Sequence, residues 1–352
     1  MEKEKKPGKV KRVILIVVCV VLALLLAAVI AVTAFVEGLL GKVGRDPDAT
    51  FETMSESEYN QMMEEEEATA GTDVEEMEPT DVVWDEESLL AQGDSIINIM
   101  LIGQDRRPGK KKNARSDAMI LVTINKAKKT ITLSSFMRDM YVQIPGKKDN
   151  RINASYVFGG IKLLNKTVEK NFGVKIHGNV VVDFSGFMDA IDVVGGVDIK
   201  LTAQEAKYLN NHSFADQKAD VGNNFVAGVN HLDGSEALAY ARTRKIGNGD
   251  FGRTARQRKV LMALLNKVRQ MPLKDLNALL NQLLPLVTTD LTDAEILGYA
   301  MELLPILQYL DVKSQQIPAK GAYKHAKIGG KAVLVPNLKK NKAILQEIMA
   351  TN

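Results

Sequence analysis

The chain opens on a Lys-rich stretch, residues 1–12, and then runs from Val13 to Val36 without a charged residue. As a helix those 24 residues would span about 36 Å, enough for a bilayer core of about 30 Å, so the pattern predicts a single transmembrane anchor over 13–36. The basic flank, Lys3 to Arg12, places a short tail (1–12) in the cytoplasm and everything after Val36 outside the cell. A cleaved signal peptide is the alternative, with Val32-Thr33-Ala34 as a weak cleavage site, but the apolar run exceeds the usual h-region of about 7–15 residues.

Beyond the anchor the pattern changes twice. Residues 37–94 are polar and acidic; from 95 onward short apolar runs alternate with turn residues. Ile96–Ile102, Ala118–Ile124 and Thr130–Phe136 read as strands, the last two joined by a hairpin turn at Asn125–Lys129. Asn179–Phe184 and Val197–Leu201 read as further strands. Helical spacing predicts helices over Ala154–Phe172, Gly234–Arg242, Thr254–Arg269, Leu273–Val287, Thr292–Leu310 and Leu338–Met349. This order predicts an α/β fold: a central mixed β-sheet covered by helices, preceded by the single transmembrane helix. The chain shows no internal repeat.

Charge sharpens the division. The net charge is only +3, from 46 basic and 43 acidic residues. Between Asp46 and Asp94, however, there are 18 acidic residues and no Lys or Arg, which predicts a largely disordered tether over 37–94. The part from 95 to 352 carries 38 basic against 22 acidic residues, a net of +16. Outside a cell a cationic domain of this kind points to phosphate-bearing lipids or polymers rather than nucleic acid. One Cys, inside the predicted span, excludes an intramolecular disulfide, and four scattered His argue against a His-rich metal site. Metal chemistry would fall to carboxylates and hard cations.

Arginine and aspartate cluster at predicted element ends: Gly103-Gln104-Asp105-Arg106-Arg107, Arg115-Ser116-Asp117, Arg138-Asp139, Arg242-Thr243-Arg244, and Asp250 to Gln257 with Arg253 and Arg256. The guanidinium fork matches phosphate oxygens and stays charged. Converging arginines with two carboxylates suit a pyrophosphate–cation site, in which Asp105 and Asp117 hold the metal if their strands are neighbours. Each cluster taken alone reads more readily as surface ion pairing; only their repetition at element ends brings a phosphate site level with it. The Leu-rich helices between Leu261 and Leu310 read either as core or as the lining of a lipid channel, and the Lys-rich stretch Lys313–Lys342 as a solvated face. Trp84 and the histidines carry no role that the sequence argues.

The ordered series Asn98–Asp105, Arg115-Ser-Asp117, Phe136-Met-Arg138-Asp139, Ile152-Asn153-Ala-Ser-Tyr156, Asp183-Phe-Ser-Gly-Phe187, Gly195-Gly-Val, Leu232-Asp-Gly234 with Ala237–Tyr240, Arg242-Thr-Arg244 and Asp250-Phe-Gly-Arg253 with Arg256-Gln257 resembles the LytR-CpsA-Psr family over about residues 97–268. The resemblance implies an extracytoplasmic phosphotransferase. Its members move a glycopolymer, such as teichoic acid or capsular polysaccharide, from an undecaprenyl-pyrophosphate carrier to the C6 hydroxyl of peptidoglycan N-acetylmuramic acid. It implies Mg²⁺, or Mn²⁺ in its place, at Asp105 and Asp117. Arg115, Arg138, Arg242, Arg244 and Arg253 match the arginines around the pyrophosphate, supported by Asp250, Gln257, Asp139 and Asn153. Three departures stand out: Arg151 where Lys is commoner, Phe136-Met137 in place of Ile-Pro, and a short Lys245–Gly249 loop. No His lies in a motif, so Asp105 and Asp139 are the candidate bases. Hydrolysis of the same pyrophosphate, and carrier binding without turnover, are the competing activities.

Overall fold

The computed structural model describes residues 38, 40–45, 54–60, 76–85, 88–104, 116–212, 221–272, 279 and 281–351. The predicted anchor at 13–36 lies outside them. Among the described residues no helix is long and apolar enough to cross a membrane. The chain divides into a short unit, Met1–Val43, and a large one, Gly44–Asn352.

The large unit is an α/β structure on a seven-stranded mixed sheet. In chain order its strands are β1 (Gly44–Arg45), β2 (Ile96–Gln104), β3 (Ser116–Asn125), β4 (Thr130–Phe136), β5 (Tyr141–Val142), β6 (Asn150–Arg151), β7 (Gly178–Asp183), β8 (Val197–Leu201), β9 (Gly228–Leu232), β10 (Thr288–Thr289), β11 (Asp311–Ile317), β12 (Tyr323–Ile328) and β13 (Lys331–Pro336). The helices are α1 (Ile152–Phe172), α2 (Phe184–Val193), α3 (Ala203–Asn211), α4 (Gly234–Arg242), α5 (Gly249–Arg269), α6 (Asp293–Leu303) and α7 (Leu338–Met349). The main sheet runs β1-β10-β7-β2-β3-β4-β11; β5–β6, β8–β9 and β12–β13 form separate two-stranded ribbons.

Alternation along the central strands sends side chains to two different cores. Met100, Ile102, Met119, Leu121 and Phe136 face α1 and α7. Ile97, Ile120, Ile124, Ile131 and Leu133 face the other way, toward Leu261, Met262 and Leu265 of α5 and Leu303 of α6. A third core gathers the β8–β9 ribbon with α3, α4 and part of α5. Side-chain caps fix several helix starts: Asp183 accepts from the Gly186 amide at 2.8 Å, and Asp233 from the Glu236 amide at 2.9 Å. Gly234 is required because a Cβ there would overlap the Met188 carbonyl where α2 and α4 touch.

The structure departs from the sequence reading in three places. The helix expected over Thr292–Leu310 ends at Leu303: Leu304 N–H still donates to the Ala300 carbonyl, but Pro305 has no N–H to continue the ladder, and a 3₁₀ turn at Leu307–Tyr309 follows. At the end of the helix expected over Leu273–Val287, Leu284–Leu286 is a 3₁₀ turn, while 273–278 and 280 lie outside the described residues. The Lys313–Lys342 stretch is more than a solvated face: Lys313, Lys320 and Lys324 are exposed, but the stretch also carries β11, β12 and β13 and buries Ile317, Val333 and Leu334.

The acidic segment also departs from a plain tether. A helical turn at 56–60 puts Tyr59 fully inside, edge-on to Phe158 with ring centroids 5.3 Å apart. Farther on, Val82 is buried beside Ala326 and Val333, Trp84 stacks on Tyr141, and Asp85 pairs with Lys342 at 3.1 Å. The acidic composition hides a few apolar anchors whose partners come from distant parts of the chain. The folded unit therefore begins well before residue 95.

Candidate phosphate-binding site

The turn after β4 carries Arg138 and Asp139, and four hydrogen bonds from three elements brace it. Met137 N–H donates to the Ile317 carbonyl at the end of β11 (2.8 Å), and the Asp139 carbonyl accepts from Leu334 N–H of β13 (3.0 Å). The Arg138 and Met140 carbonyls accept from Asn153 and Ile152 N–H of α1, at 3.4 and 2.8 Å. The first of these bonds needs an N–H at position 137, which a proline would lack.

Asp250, in the first turn of α5, stands at the centre of the site. Arg138 Nε donates to its Oδ2 at 3.1 Å, while Arg244 Nε and Arg253 Nη1 each lie 3.4 Å from its Oδ1. Burial pushes this carboxyl up, but Arg138, Arg253 and Arg244 together hold it below the ordinary carboxylate value. The residue before it, Gly249, has φ +56°, a conformation that favours glycine. Arg253 is 3% exposed and Arg244 43%, so one guanidinium backs the carboxylate from inside while another meets solvent.

Of the other expected residues, Asp139 lies near enough to feel the Asp250 charge, and the rest have their own surroundings. Asp139 adjoins Arg138; its Oδ1 is buried without a hydrogen-bond partner, and burial followed by the nearby Asp250 charge pushes its pKa up. Asn153 acts on the Arg138 turn rather than into the cluster, and its Oδ1 accepts from the Tyr59 hydroxyl at 3.0 Å. Gln257, one turn along α5 from Arg253, has a buried Oε1 without a hydrogen-bond partner. Arg242 ends α4 with its guanidinium carbon 4.3 Å from the Phe184 ring centroid, a cation–π contact. Arg151 donates to the Ala332 carbonyl through Nε (3.2 Å) and Nη2 (2.5 Å).

Asp105 and Arg115 lie outside the described residues, as does the Asp117 side chain. Their strands are antiparallel neighbours, Gly103 opposite Ala118 and Gln104 opposite Ser116, with a register shift between Gly103 and Gln104. In sequence, positions 105 and 117 each adjoin the Gln104–Ser116 pair. In that pair Ser116 Oγ is buried with no hydrogen-bond partner. An oxygen-only set of this kind fits a hard divalent cation. Among the described residues alone, no group of three His, Cys, Asp or Glu could hold a metal.

Two sets of residues were not anticipated. Arg256 is buried and ties the site's loop together, with Nε to Glu205 Oε1 at 3.0 Å, Nη1 to the Thr243 carbonyl at 2.9 Å and Nη2 to the Ile246 carbonyl at 2.8 Å. Beside Asp250, Phe251 stacks on Tyr323 (5.3 Å, 24°) and meets His325 edge-on (6.3 Å). The second set depends on β12, which no apolar alternation announces.

A model of the LytR_cpsA_psr family matches residues 52–348. A Bacillus cereus protein named polyisoprenyl-teichoic acid–peptidoglycan teichoic acid transferase TagU is 39% identical over 173 residues, 49% of this chain and 52% of that protein. The match thus spans about half the length of that relative. The Staphylococcus aureus regulatory protein MsrR is 32% identical over 233 residues, 66% of this chain and 67% of that one. Among solved structures, the Bacillus subtilis protein YwtF (TagT) with bound octaprenyl pyrophosphate lipid superposes with a TM-score of 0.55 at 27% identity, covering 73% of this chain and 91% of that one.

Proposed function

The chain belongs to the LytR_cpsA_psr family, and from that membership we propose that it is an extracytoplasmic phosphotransferase, moving a glycopolymer from a polyprenyl-pyrophosphate carrier to peptidoglycan. The observation that carries the reading is the Asp250 carboxylate holding Arg138, Arg244 and Arg253 within 3.4 Å of one another's shared anion. Three oriented guanidiniums suit the oxygens of a pyrophosphate, and they need no reorganisation as charge develops.

The step is in-line displacement at the glycan-linked phosphorus. The muramic acid hydroxyl oxygen forms the new P–O bond, the bond to the bridging oxygen breaks, and polyprenyl phosphate departs with the electron pair. Arg138 and Arg244 meet the charge gained by that leaving group. Asp250 touches no substrate in this scheme; it positions the arginines. Asp139, whose burial favours holding a proton, is the candidate acceptor of the hydroxyl proton. Asp105 and Asp117 would hold Mg²⁺ or Mn²⁺, which when bound supplies further neutralisation of pyrophosphate charge. The prenyl tail would enter between the apolar sheet face of Ile97, Ile120 and Leu133 and the helices α5 and α6, which pack closed on it in this structure. The membrane anchor at 13–36 would keep the domain beside its lipid substrate.

The test uses the full chain in detergent with Mg²⁺, a short-glycan polyprenyl pyrophosphate and peptidoglycan oligomers, read by mass spectrometry. A glycan–peptidoglycan conjugate is expected. Polyprenyl phosphate released without conjugate would mean hydrolysis, and carrier bound without turnover would mean a sensor.

A further inference from the structure

A neighbouring face of α5, about a quarter turn from Asp250 at Arg258, carries a second group of cations. At 3.6 residues per turn, Arg258, Met262 and Asn266 fall on a stripe separate from that of Asp250 and Arg253. They floor a groove of about 680 Å³ that runs from Ala255 to Gln270, walled by Asp198–Lys200 of β8 and by Ser314 of β11.

Arg258 is its unusual member. It is 8% exposed, yet its Nε and Nη1 have no hydrogen-bond partner, and no carboxylate among the described residues pairs with it. Burial alone pushes its pKa down to about 10, which leaves it charged at neutral pH. Asn266 Oδ1, farther along the same groove, is also buried and unbonded. A desolvated guanidinium without a counter-charge is costly to the fold. Two lysines along the wall are held in place: Lys259 Nζ reaches the Tyr240 hydroxyl at 3.3 Å, and Lys267 Nζ the Gly195 and Gly196 carbonyls at 2.6 and 2.7 Å. The one carboxylate in the lining, Asp198, is engaged by His231 at 2.7 Å.

We infer that this groove binds the phosphodiester backbone of an anionic glycopolymer, with Arg258 as its anchor. The inference rests on the transferase reading and adds a polymer subsite to it. The groove follows about 22 Å of helix, too long for a single ion. Its key donors lie below the surface, where a flexible linear chain can enter and a flat bilayer cannot. Arg258 is about 12 Å along the helix axis from Asp250, so a chain whose terminal phosphate sits on the arginine cluster can continue into the groove.

The test is calorimetric binding of two probes to the full chain in detergent: a linear poly(glycerol phosphate) oligomer without a prenyl group, and a polyprenyl pyrophosphate without polymer. Arg258→Met is expected to weaken the polymer roughly 10- to 100-fold, the loss of a charge-assisted contact, and to leave prenyl pyrophosphate binding unchanged. Its Tm is expected to hold or rise, since an unpaired buried charge is removed; Arg258→Lys should retain part of the polymer affinity. Equal polymer binding by the wild type and a folded Arg258→Met overturns the proposal. So does loss of prenyl pyrophosphate binding in that variant, which would place Arg258 in the headgroup site. Failure of the transferase reading shows separately, as absent conjugate with both probes still bound.

Discussion

Arg256 and Glu205 meet at 3.0 Å, and through this pair the loop that carries Arg244 is fastened to α3. The same glutamate caps α3 by accepting from Thr202 N–H at 2.9 Å and takes the Tyr240 hydroxyl at 3.1 Å. Arg256→Ala strands a carboxylate that is only 13% exposed and frees two loop carbonyls. A loss of roughly 3–5 kcal/mol is expected by denaturant unfolding, as for other broken buried pairs. Burial pushes Glu205 up, but Thr202 N–H and Arg256 more than reverse this, so its folded pKa lies below the ordinary 4.5. Its contribution to stability is therefore full above that value and fades as pH falls through the lowered one. Glu205→Gln should flatten that acid limb.

Asp250→Asn keeps the shape of the site but removes the charge that orients three arginines. Turnover is expected to fall by roughly two orders of magnitude or more, the scale seen when a preorganised electrostatic contact is lost. Affinity for the anionic carrier should hold or improve, because net positive charge rises. A variant whose KM rises in proportion to its loss of kcat/KM, with kcat unchanged, would show instead that Asp250 serves binding alone.

Asp139 titrates in the opposite sense. With its pKa raised by burial and by Asp250, the folded state holds a proton more tightly than the unfolded one. Stability should then decline as pH rises from the ordinary carboxylate range through the raised folded value. Asp139→Asn should abolish that slope, leave Tm at neutral pH equal or higher, and lower transfer if Asp139 takes the hydroxyl proton. Thermal scans across pH, paired with conjugate formation, check both.

Tyr59 ties the acidic segment to the site. Tyr59→Phe loses the hydrogen bond to Asn153 and should cost about 1 kcal/mol. Tyr59→Ala empties a fully buried position and should cost roughly 3–5 kcal/mol. A chain shortened to begin at residue 95 should be destabilised at least as much, measured as a fall in the urea midpoint.

Chelation tests the carboxylates at 105 and 117. EDTA is expected to stop conjugate formation, and added Mg²⁺ or Mn²⁺ to restore it. Asp117→Asn should raise the Mg²⁺ concentration needed for half-maximal rate. Undiminished turnover in EDTA would remove the metal from the scheme.

Much of the fold was legible because its central strands and longest helices carry strong local patterns. β4, β8, α4 and α7 have the bounds that their apolar spacing predicts. β11 escaped because Asp-Val-Lys-Ser-Gln-Gln-Ile is an edge strand with little to bury until Ile317. The arginines around Asp250 were legible as motifs, since residue chemistry and short spacing marked them. Arg256, inside the same motif, was not separable by sequence from its neighbours; only the path of the 243–246 backbone reveals its work. Asp183 and Asp233, equally prominent in the string, are helix caps. Tyr59 and Trp84 were hidden by the acidity around them, because what buries them, Phe158 for the one and Tyr141 for the other, is encoded far along the chain.

The bracing of the Arg138 turn has a consequence for how the protein is made. Two of its four supports, Ile317 and Leu334, belong to strands synthesised long after Arg138 itself, and β4 must wait for β11, which pairs Thr130 with Asp311. The hairpin of β3 and β4 can close early, whereas the parallel partner pays the loop-closure entropy of everything between. A chain that stops before its last strands would have every motif residue yet lack two of the four bonds that hold the Arg138 turn.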